Sequence, residues 1–308
     1  MPSLTNKSQN GKTIKSQSGL ALISVLFIFA LVSMLAISMV ERQSRDIAQA
    51  TATFENTQAY VLALSAEEVV KAGLIFDMKR DASDKEWDTS AELWNQVLPL
   101  KIEGANLKVS VRDLQGLFNL NWLHEASGKQ AASFTRFQAL LSELGLDPNI
   151  ATNLKHWFTP GAGFNYDYQN EEPPYSAGEI EMTHPSELLL VKEVDSEAYQ
   201  KLEPFITALP AKTALNLNTT LPEVLSSWDA GLSLNDAETL VNKTRPGTCG
   251  QNRSTAVYED VAAFMNESVI TTLTDKDKFP NHQWNNGDFD VKTEYFSAFI
   301  TIELEQRV

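Results

Sequence analysis

The sequence predicts an α+β fold in which a long N-terminal helix precedes a small antiparallel sheet, and a large helical region interrupts that sheet. Three observations support this prediction. An uncharged apolar run begins at residue 20 and continues as an amphipathic helical pattern to about residue 78. Apolar and polar residues alternate at 107–112 and again at 296–305, as they do in half-buried strands. Between these two segments the apolar spacing is helical.

The first forty residues have the charge pattern of a membrane anchor. Residues 1–19 contain three lysines and no acidic residue, whereas residues 20–40 contain no charge. A helix rises about 1.5 Å per residue, so the uncharged run would be about 31 Å long, close to the hydrocarbon thickness of a bilayer. Because positive flanks stay on the cytoplasmic side, we expect the N-terminus in the cytoplasm and the chain after residue 41 on the other side.

The apolar helix is expected to remain in the mature protein. Gly19 lies directly before the apolar run, whereas a secretory signal places its small residues after a shorter apolar core. After the span, apolar residues continue at steps of three and four from Ile47 to Leu64. Two interpretations fit this continuation: a surface helix that follows a signal anchor, and a stalk helix that packs against copies of itself or its relatives.

The strand signals lie on either side of the helical region. Leu107, Val109 and Val111 alternate with polar residues, and residues 100–102 precede them across a short loop, which predicts a hairpin. The second alternating segment, 296–305, is near the end of the chain. Neither segment has enough strands to form a stable sheet alone, so we expect the two to pair in space.

The region between the strands is expected to consist of helices. Gly145 can end one of them, and Asp147 followed by Pro148 can start the next. The helices predicted from spacing and capping signals cover residues 134–144, 147–158, 186–191, 195–208, 222–228, 235–243 and 256–266.

Composition disfavours several kinds of function. Cys249 is the only cysteine, so neither an intramolecular disulfide nor a thiolate-rich zinc site can form. The four histidines lie at least 28 positions apart, which does not suit a metal site. A net charge of −15 disfavours binding to nucleic acids. The G-x-S-x-G and S-x-x-K motifs of nucleophilic enzymes are absent, so we expect a protein that is not an enzyme and requires no cofactor.

The start of the chain resembles a type IV prepilin-like signal, with a basic leader, Gly19, apolar Leu20 and an unbroken hydrophobic helix. The rest of the chain resembles the minor pseudopilin K family of type II secretion systems. Ser24 agrees with this resemblance, since that family typically lacks the glutamate that other pseudopilins have at this position. The segments that carry the resemblance are DLQGLFNLNWL at 113–123, LGLDP at 144–148, HPSELLLV at 184–191, the helix and tail at 199–210, LNLNTTLPEVL at 215–225 and VKTEYFSAFITIELE at 291–305.

The resemblance implies a pilin-like α/β body with two inserted SAM-like helical regions. It also implies that a prepilin peptidase cuts between Gly19 and Leu20 and that Leu20 becomes the methylated N-terminus. The implied divisions are the leader at 1–19, a transmembrane and stalk helix at 20–80 with its span at 20–40, the first pilin-like part at 81–120, SAM-like regions at 121–213 and 214–279, and C-terminal strands at 280–308.

The function implied by the resemblance is that of a minor pseudopilin at the tip of the pseudopilus. Such a protein is anchored in the bacterial inner membrane with its body in the periplasm. It helps to initiate pseudopilus assembly and the export of folded periplasmic proteins across the outer membrane. The implied partners are minor pseudopilins I and J, the prepilin peptidase and the inner-membrane assembly platform. The alternative is a signal-anchored periplasmic enzyme or ligand-binding domain.

Residues 215–264 also resemble a helix-hairpin-helix module of DNA-binding proteins. Such hairpins bring backbone N–H groups close to phosphates, usually with glycines and nearby basic residues. Here the hairpin position, residues 228–233, has one glycine and an aspartate. We therefore expect a helical interaction module and no nucleic-acid binding.

Calcium is the one ion for which the sequence offers a candidate site. Calcium takes several oxygen ligands from flexible loops, and an exported protein meets it outside the cytoplasm. Members of the resembled family can carry calcium in this region, but their W-x-D-x-D stretch reads WFTPG at 157–161. The alternative interpretation is a solvated acidic loop. The candidate ligands are Asn165, Asp167, Glu171 and Glu172, with Asn170 beside them.

Overall fold

The chain divides into one unit that comprises Met1–Leu62 and a second that comprises Ala63–Val308. The structure is a computed structural model that describes residues 18–84, 87–102, 104–159, 161, 168–244, 257–275 and 284–304. In chain order its α-helices and strands are α1 Ser18–Asp84, β1 Leu98–Ile102, β2 Ala105–Asp113, β3 Phe118–Asn119, α2 Gln130–Glu143, α3 Asn149–Trp157, α4 Ser196–Leu202, β4 Ile206–Thr207, β5 Leu215–Asn216, α5 Pro222–Ser226, α6 Leu234–Thr244, α7 Val261–Met265, α8 Ser268–Leu273, β6 Phe289–Asp290 and β7 Phe296–Leu304.

In the first unit, α1 exposes apolar side chains on every side. Leu20, Phe29 and Leu35 are 73%, 70% and 70% exposed. The helix is long and apolar enough to cross a membrane, as the sequence predicts. Two of its serine hydroxyls bond within the helix: Ser24 Oγ donates to the Leu20 carbonyl at 2.9 Å, and Ser38 Oγ donates to the Met34 carbonyl at 2.6 Å.

The helix α1 continues to Asp84, beyond the end near residue 78 that its apolar pattern predicts. Residues 79–84 contain neither glycine nor proline, so nothing in them stops the backbone hydrogen bonds of the helix.

The second unit contains a three-stranded antiparallel sheet with the strand order β1-β2-β7. The expected pairing of the two distant strand segments is confirmed: Leu107 lies opposite Ile302, and Val109 lies opposite Ile300. Along β2, buried residues alternate with more exposed ones, as the half-buried pattern predicts. Gly104, at φ +82°, lies in the turn between β1 and β2.

The described residues between 118 and 207 form the first helical module, which lies between β2 and β7 in the sequence. The helix α2 buries Phe137 and Leu140, and Gly145 follows it in a left-handed conformation at φ +67°. The predicted helix at 195–208 is too long. It starts as expected after Asp195, whose side chain accepts the Ala198 N–H at 2.8 Å, but α4 ends at Leu202 because Pro204 cannot continue the helix.

The described residues between 215 and 290 form the second helical module. Its short helices α5 and α6 pack against each other. The helix predicted at 256–266 begins at Val261, because the side chain of Asp260 accepts the Ala263 N–H at 2.7 Å and caps it there. The predicted residue 256 lies outside the described residues.

One hydrophobic core runs through both helical modules. Aromatic rings connect them: Phe118 lies 5.2 Å from Trp122, Trp122 lies 5.5 Å from Trp228, and Trp228 lies 4.9 Å from Phe289. Because these rings are nearly fully buried, each module covers apolar surface of the other. We infer that the two modules stabilise each other.

Both helical modules begin with the same motif, Asn-Leu-Asn, in a two-residue strand. In the first module, the Asn119 side chain accepts the Asn121 N–H at 3.1 Å. In the second, the Asn216 side chain accepts the Asn218 N–H at 2.9 Å. Each of these strands then pairs in parallel with the strand that ends its own module: β3 with β4, and β5 with β6. The two modules therefore repeat one plan.

The second asparagine of each motif clamps a distant backbone residue with two hydrogen bonds. Asn121 accepts the Met182 N–H at 2.7 Å and donates to the Met182 carbonyl at 2.8 Å. Asn218 accepts the Tyr258 N–H at 3.0 Å and donates to the Tyr258 carbonyl at 3.0 Å. Both asparagines are buried, so these bonds satisfy backbone groups that water does not reach.

We predict that Asn121→Leu lowers the free energy of unfolding by about 3 kcal/mol. The change leaves both Met182 backbone groups and the Leu209 carbonyl, 2.8 Å from Asn121 Nδ2, buried without this partner, at about 1 to 3 kcal/mol for each unsatisfied group. Urea unfolding of the full chain in detergent, followed by tryptophan fluorescence, measures the loss. The matched control is exposed Asn149→Leu, for which we expect a change of less than about 0.5 kcal/mol. Equal effects of the two changes would contradict the clamp.

Candidate functional site

The carboxylate of Asp113, at the end of β2, joins three distant parts of the second unit. Its Oδ1 accepts the Gln115 N–H at 2.6 Å. Its Oδ2 accepts hydrogen bonds from Asn216 at 3.2 Å, from Thr293 at 2.7 Å and from the Thr219 hydroxyl. The end of β2, the start of the second helical module and the segment before β7 therefore meet at one buried group. We call these five residues the Asp113 junction.

Burial raises the pKa of the Asp113 carboxyl, while its four hydrogen bonds act in the opposite direction. Gly116 lies against the junction. A Cβ atom at this position would lie only 2.6 Å from the Thr219 carbonyl oxygen, so only glycine fits without movement of the backbone. This close approach explains the glycine at the end of the D-x-Q-G sequence at 113–116.

A second charged link lies deeper in the body. Arg136 on α2 and Lys129 both contact the carboxylate of Asp288, each at 3.0 Å. The Arg136 guanidinium also lies 3.9 Å from the centre of the Trp228 ring, and burial lowers its pKa. These ion pairs tie the first helical module to the end of the second, and removal of Asp288 would take away the carboxylate that both cations contact.

The expected calcium ligands have two different outcomes. Asn165 and Asp167 lie outside the described residues, so the structure does not place them. Glu171 and Glu172 are described, and both are exposed in a turn region. Calcium at this loop remains a proposal.

The structure brings together three carboxylates that the sequence analysis missed. Asp77 near the end of α1, and Asp88 and Glu92 in the following segment, have oxygen atoms within 4.8 Å of one another. Carboxylates at this separation suit a hard cation such as calcium. No sequence signal marks the group, because helix α1 ends between its members and only the folded chain brings them together.

The carboxyl group of Glu92 has a strongly raised pKa. Burial, with a smaller contribution from the charges of Asp88 and Asp77, raises the pKa of Glu92 to about 7. The Trp94 indole N–H donates to Glu92 at 2.6 Å and opposes this rise. Asp88 is fixed by its own contact, since it accepts the Thr293 N–H at 2.6 Å. The group therefore lies beside the Asp113 junction, to which Thr293 also belongs.

The two residues at which we predict processing, Gly19 and Leu20, lie in the first turn of α1, which begins at Ser18. Gly19 and Leu20 are both helical. Ser24 lies one turn later, and its hydroxyl bonds to the Leu20 carbonyl. The side chain at this position is therefore uncharged and is hydrogen-bonded within its own helix.

Two histidines have local structural roles. His124 Nδ1 accepts the Ala126 N–H at 3.1 Å, and His184 Nδ1 accepts the Ser186 N–H at 3.1 Å. Each caps a short 3₁₀ helix. His282 lies outside the described residues.

Comparison with known proteins agrees with this arrangement. Two family models, each described as "Type II secretion system (T2SS), protein K", match residues 116–211 and 215–282. Type II secretion system protein K of Pseudomonas aeruginosa is 31% identical, over 69% of this chain and 68% of its own length. The corresponding protein of Klebsiella pneumoniae is 29% identical over 82% and 80%. The chain belongs to the type II secretion system protein K family.

A solved structure shows the same fold. It is the crystal structure of the GspK-GspI-GspJ complex from the type 2 secretion system of enterotoxigenic Escherichia coli, and the TM-score is 0.64 at 20% identity. The match covers 82% of this chain and 90% of the solved one. The resemblance to the protein K family that the sequence analysis identified is confirmed. The two matched ranges begin at Gly116 and Leu215, beside the residues of the Asp113 junction.

We predict that Glu92→Gln stabilises the protein above neutral pH. A folded-state pKa near 7 exceeds the ordinary value of 4.5, so the wild-type protein loses stability as pH rises between these values. Glutamine cannot ionise, so the variant escapes that loss. Solvent still reaches Glu92, so we expect a gain of about 1 kcal/mol at pH 8 and little gain at pH 4.5.

Urea unfolding at both pH values, with EDTA present to remove divalent cations, measures this difference. The matched control is Glu238→Gln, because Glu238 is exposed. It should have the same small effect on the free energy of unfolding at both pH values. A Glu92→Gln effect that does not depend on pH would contradict the assignment.

Proposed function

We propose that the protein is the minor pseudopilin at the tip of a type II pseudopilus, where it helps to initiate assembly and the export of folded periplasmic proteins. Membership of the protein K family is the observation that carries this proposal. The membrane-length helix α1 supports it, because a pseudopilin is held in the inner membrane before assembly. A signal-anchored enzyme or ligand-binding domain is less favoured, since the family match covers both helical modules.

The proposed location is the bacterial inner membrane, with a single span and a periplasmic body. The apolar helix supports one membrane anchor. The three lysines before it support a cytoplasmic N-terminus. We also propose that the prepilin peptidase removes residues 1–19 and that the inner-membrane assembly platform receives the mature protein.

Ser24 supports a terminal position in the filament. In pilin-like filaments a glutamate at this place neutralises the N-terminal ammonium of the next subunit towards the tip. A charge in an apolar helix bundle costs several kcal/mol unless it is paired. Ser24 supplies no charge and bonds within its own helix. A subunit with none above it meets no such ammonium, so serine is tolerated only at the tip.

The proposed partners are minor pseudopilins I and J. The similar solved structure is titled as a complex of GspK with GspI and GspJ, and this chain has the fold of that structure. The net charge of −15 supports protein partners over nucleic acids.

We predict that the mature protein begins at Leu20. N-terminal sequencing of protein purified from membranes measures this directly, and a start at Met1 or a cut after residue 40 would contradict the proposal. Gly19→Glu should leave the longer precursor in the membrane fraction, because the peptidase needs a small residue there. The peptidase should cut the matched variant Ser24→Ala normally. Cells that carry this variant should secrete their exported proteins nearly as well as wild-type cells do.

A further inference from the structure

The turn before β6 contains an asparagine that is directly followed by glycine. In such a pair the glycine nitrogen can attack the side-chain amide of the asparagine, because glycine has no Cβ that would crowd the approach. The sequence has two of these pairs: Asn10-Gly11 lies before Leu20, and Asn286-Gly287 lies in the body. Both residues of the second pair are exposed, so water reaches the side-chain amide of Asn286.

The nitrogen that would attack is held in a hydrogen bond. Asn285 Oδ1 accepts the Gly287 N–H at 3.1 Å, as in an Asx turn. The attack requires this nitrogen to lose its proton, and an acceptor that binds the N–H stabilises the protonated form. Asn285 therefore restrains the reactive pair. Because the turn is exposed, its hydrogen bonds can open without unfolding of the core.

The same turn carries the link between the two helical modules. Lys129 Nζ donates to the Gly287 carbonyl at 3.3 Å and contacts the carboxylate of Asp288 at 3.0 Å. Arg136 contacts the same carboxylate at 3.0 Å. The next residue, Phe289, is buried in the core that both modules share. A change in the length of the main chain just before Gly287 would therefore reach these contacts.

We propose that Asn286 is a deamidation site and that Asn285 sets the rate of the reaction. A hydroxide ion from solvent takes the proton of the Gly287 N–H, and the nitrogen forms a bond to Asn286 Cγ. The Cγ–Nδ2 bond breaks, and the nitrogen leaves as ammonia after it takes a proton from water, which restores the hydroxide. A five-membered succinimide remains. Water then opens one of its two C–N bonds and gives aspartate or isoaspartate.

The isoaspartate product should weaken the link between the modules. In isoaspartate the main chain runs through the former side-chain carbons, so one methylene group is added before Gly287. The added length shifts the Gly287 carbonyl relative to Lys129. It also separates the Asp288 N–H from the Asn285 carbonyl, which accepts it at 2.9 Å. Deamidation would thus mark older molecules by loosening the contact of Lys129 with this turn.

The test uses the full chain in detergent, incubated at pH 8 and mapped by mass spectrometry of its peptides. We expect the peptide that contains Asn286 to gain about 1 Da, because a carboxyl group replaces an amide. Gly287→Ala should slow this gain at least about tenfold, since its Cβ crowds the attacking nitrogen. The variant should keep the fold, because that Cβ would lie no closer than 3.6 Å to Asn285 Oδ1.

Two variants of Asn285 test the restraint. Asn285→Ala removes the acceptor, worth about 1 kcal/mol for an ordinary hydrogen bond, so the gain should be at least about threefold faster. The matched control Asn285→Asp keeps an acceptor and adds a negative charge, so it should react no faster than wild type. Urea unfolding shows that each variant is folded.

No gain in mass at Asn286 of the folded wild-type protein would overturn the site. An equally fast gain in Gly287→Ala would overturn attack by the Gly287 nitrogen, and equal rates in Asn285→Ala and wild type would overturn the restraint. Chromatography separates the isoaspartate form, which should unfold at a lower urea concentration than the unmodified protein. Equal midpoints of the two forms would overturn the effect on the link between the modules.

Discussion

The buried carboxylate of Asp113 fixes where the chain leaves its sheet and where it returns. A pilin-like sheet that is interrupted by two helical modules needs its separated strands held in register, and β2 and β7 are held next to Asp113 by bonds from Asn216, Thr219 and Thr293. A buried carboxylate costs free energy unless donors surround it. The buried carboxylate of Asp113 therefore needs hydrogen-bond donors, and this need determines which segments come together.

The two helical modules depend on this junction and on each other. Each begins with a two-residue strand, clamps a distant backbone residue with an asparagine and ends with a parallel partner strand. Their aromatic residues form one core. The two modules thus form one insertion with a repeated plan.

The parts that sequence reasoning predicted are those with a long periodic signal. The α1 helix, the β2–β7 pairing and the helix that ends before Gly145 all extend over enough residues for their apolar spacing to be read. The two-residue strands were missed, because a strand of that length has no period. The repeated Asn-Leu-Asn motif was the one signal that could have indicated them.

The candidate site was less predictable than the fold. The motifs around Asp113 identified the family, but their hydrogen bonds depend on segments as distant as Thr293. The group formed by Asp77, Asp88 and Glu92 has no sequence pattern, since its members approach only after α1 ends and the chain turns. Helix 195–208 was predicted too long because its apolar spacing outweighed the stop signal of Pro204.

The central claim is that this chain forms the end of a filament and is not repeated along it. Gold labelling of an epitope inserted after residue 308, followed by electron microscopy of assembled pseudopili, tests this claim most directly. The account predicts one label per filament at the end distant from the membrane. Labels repeated along the shaft would contradict it.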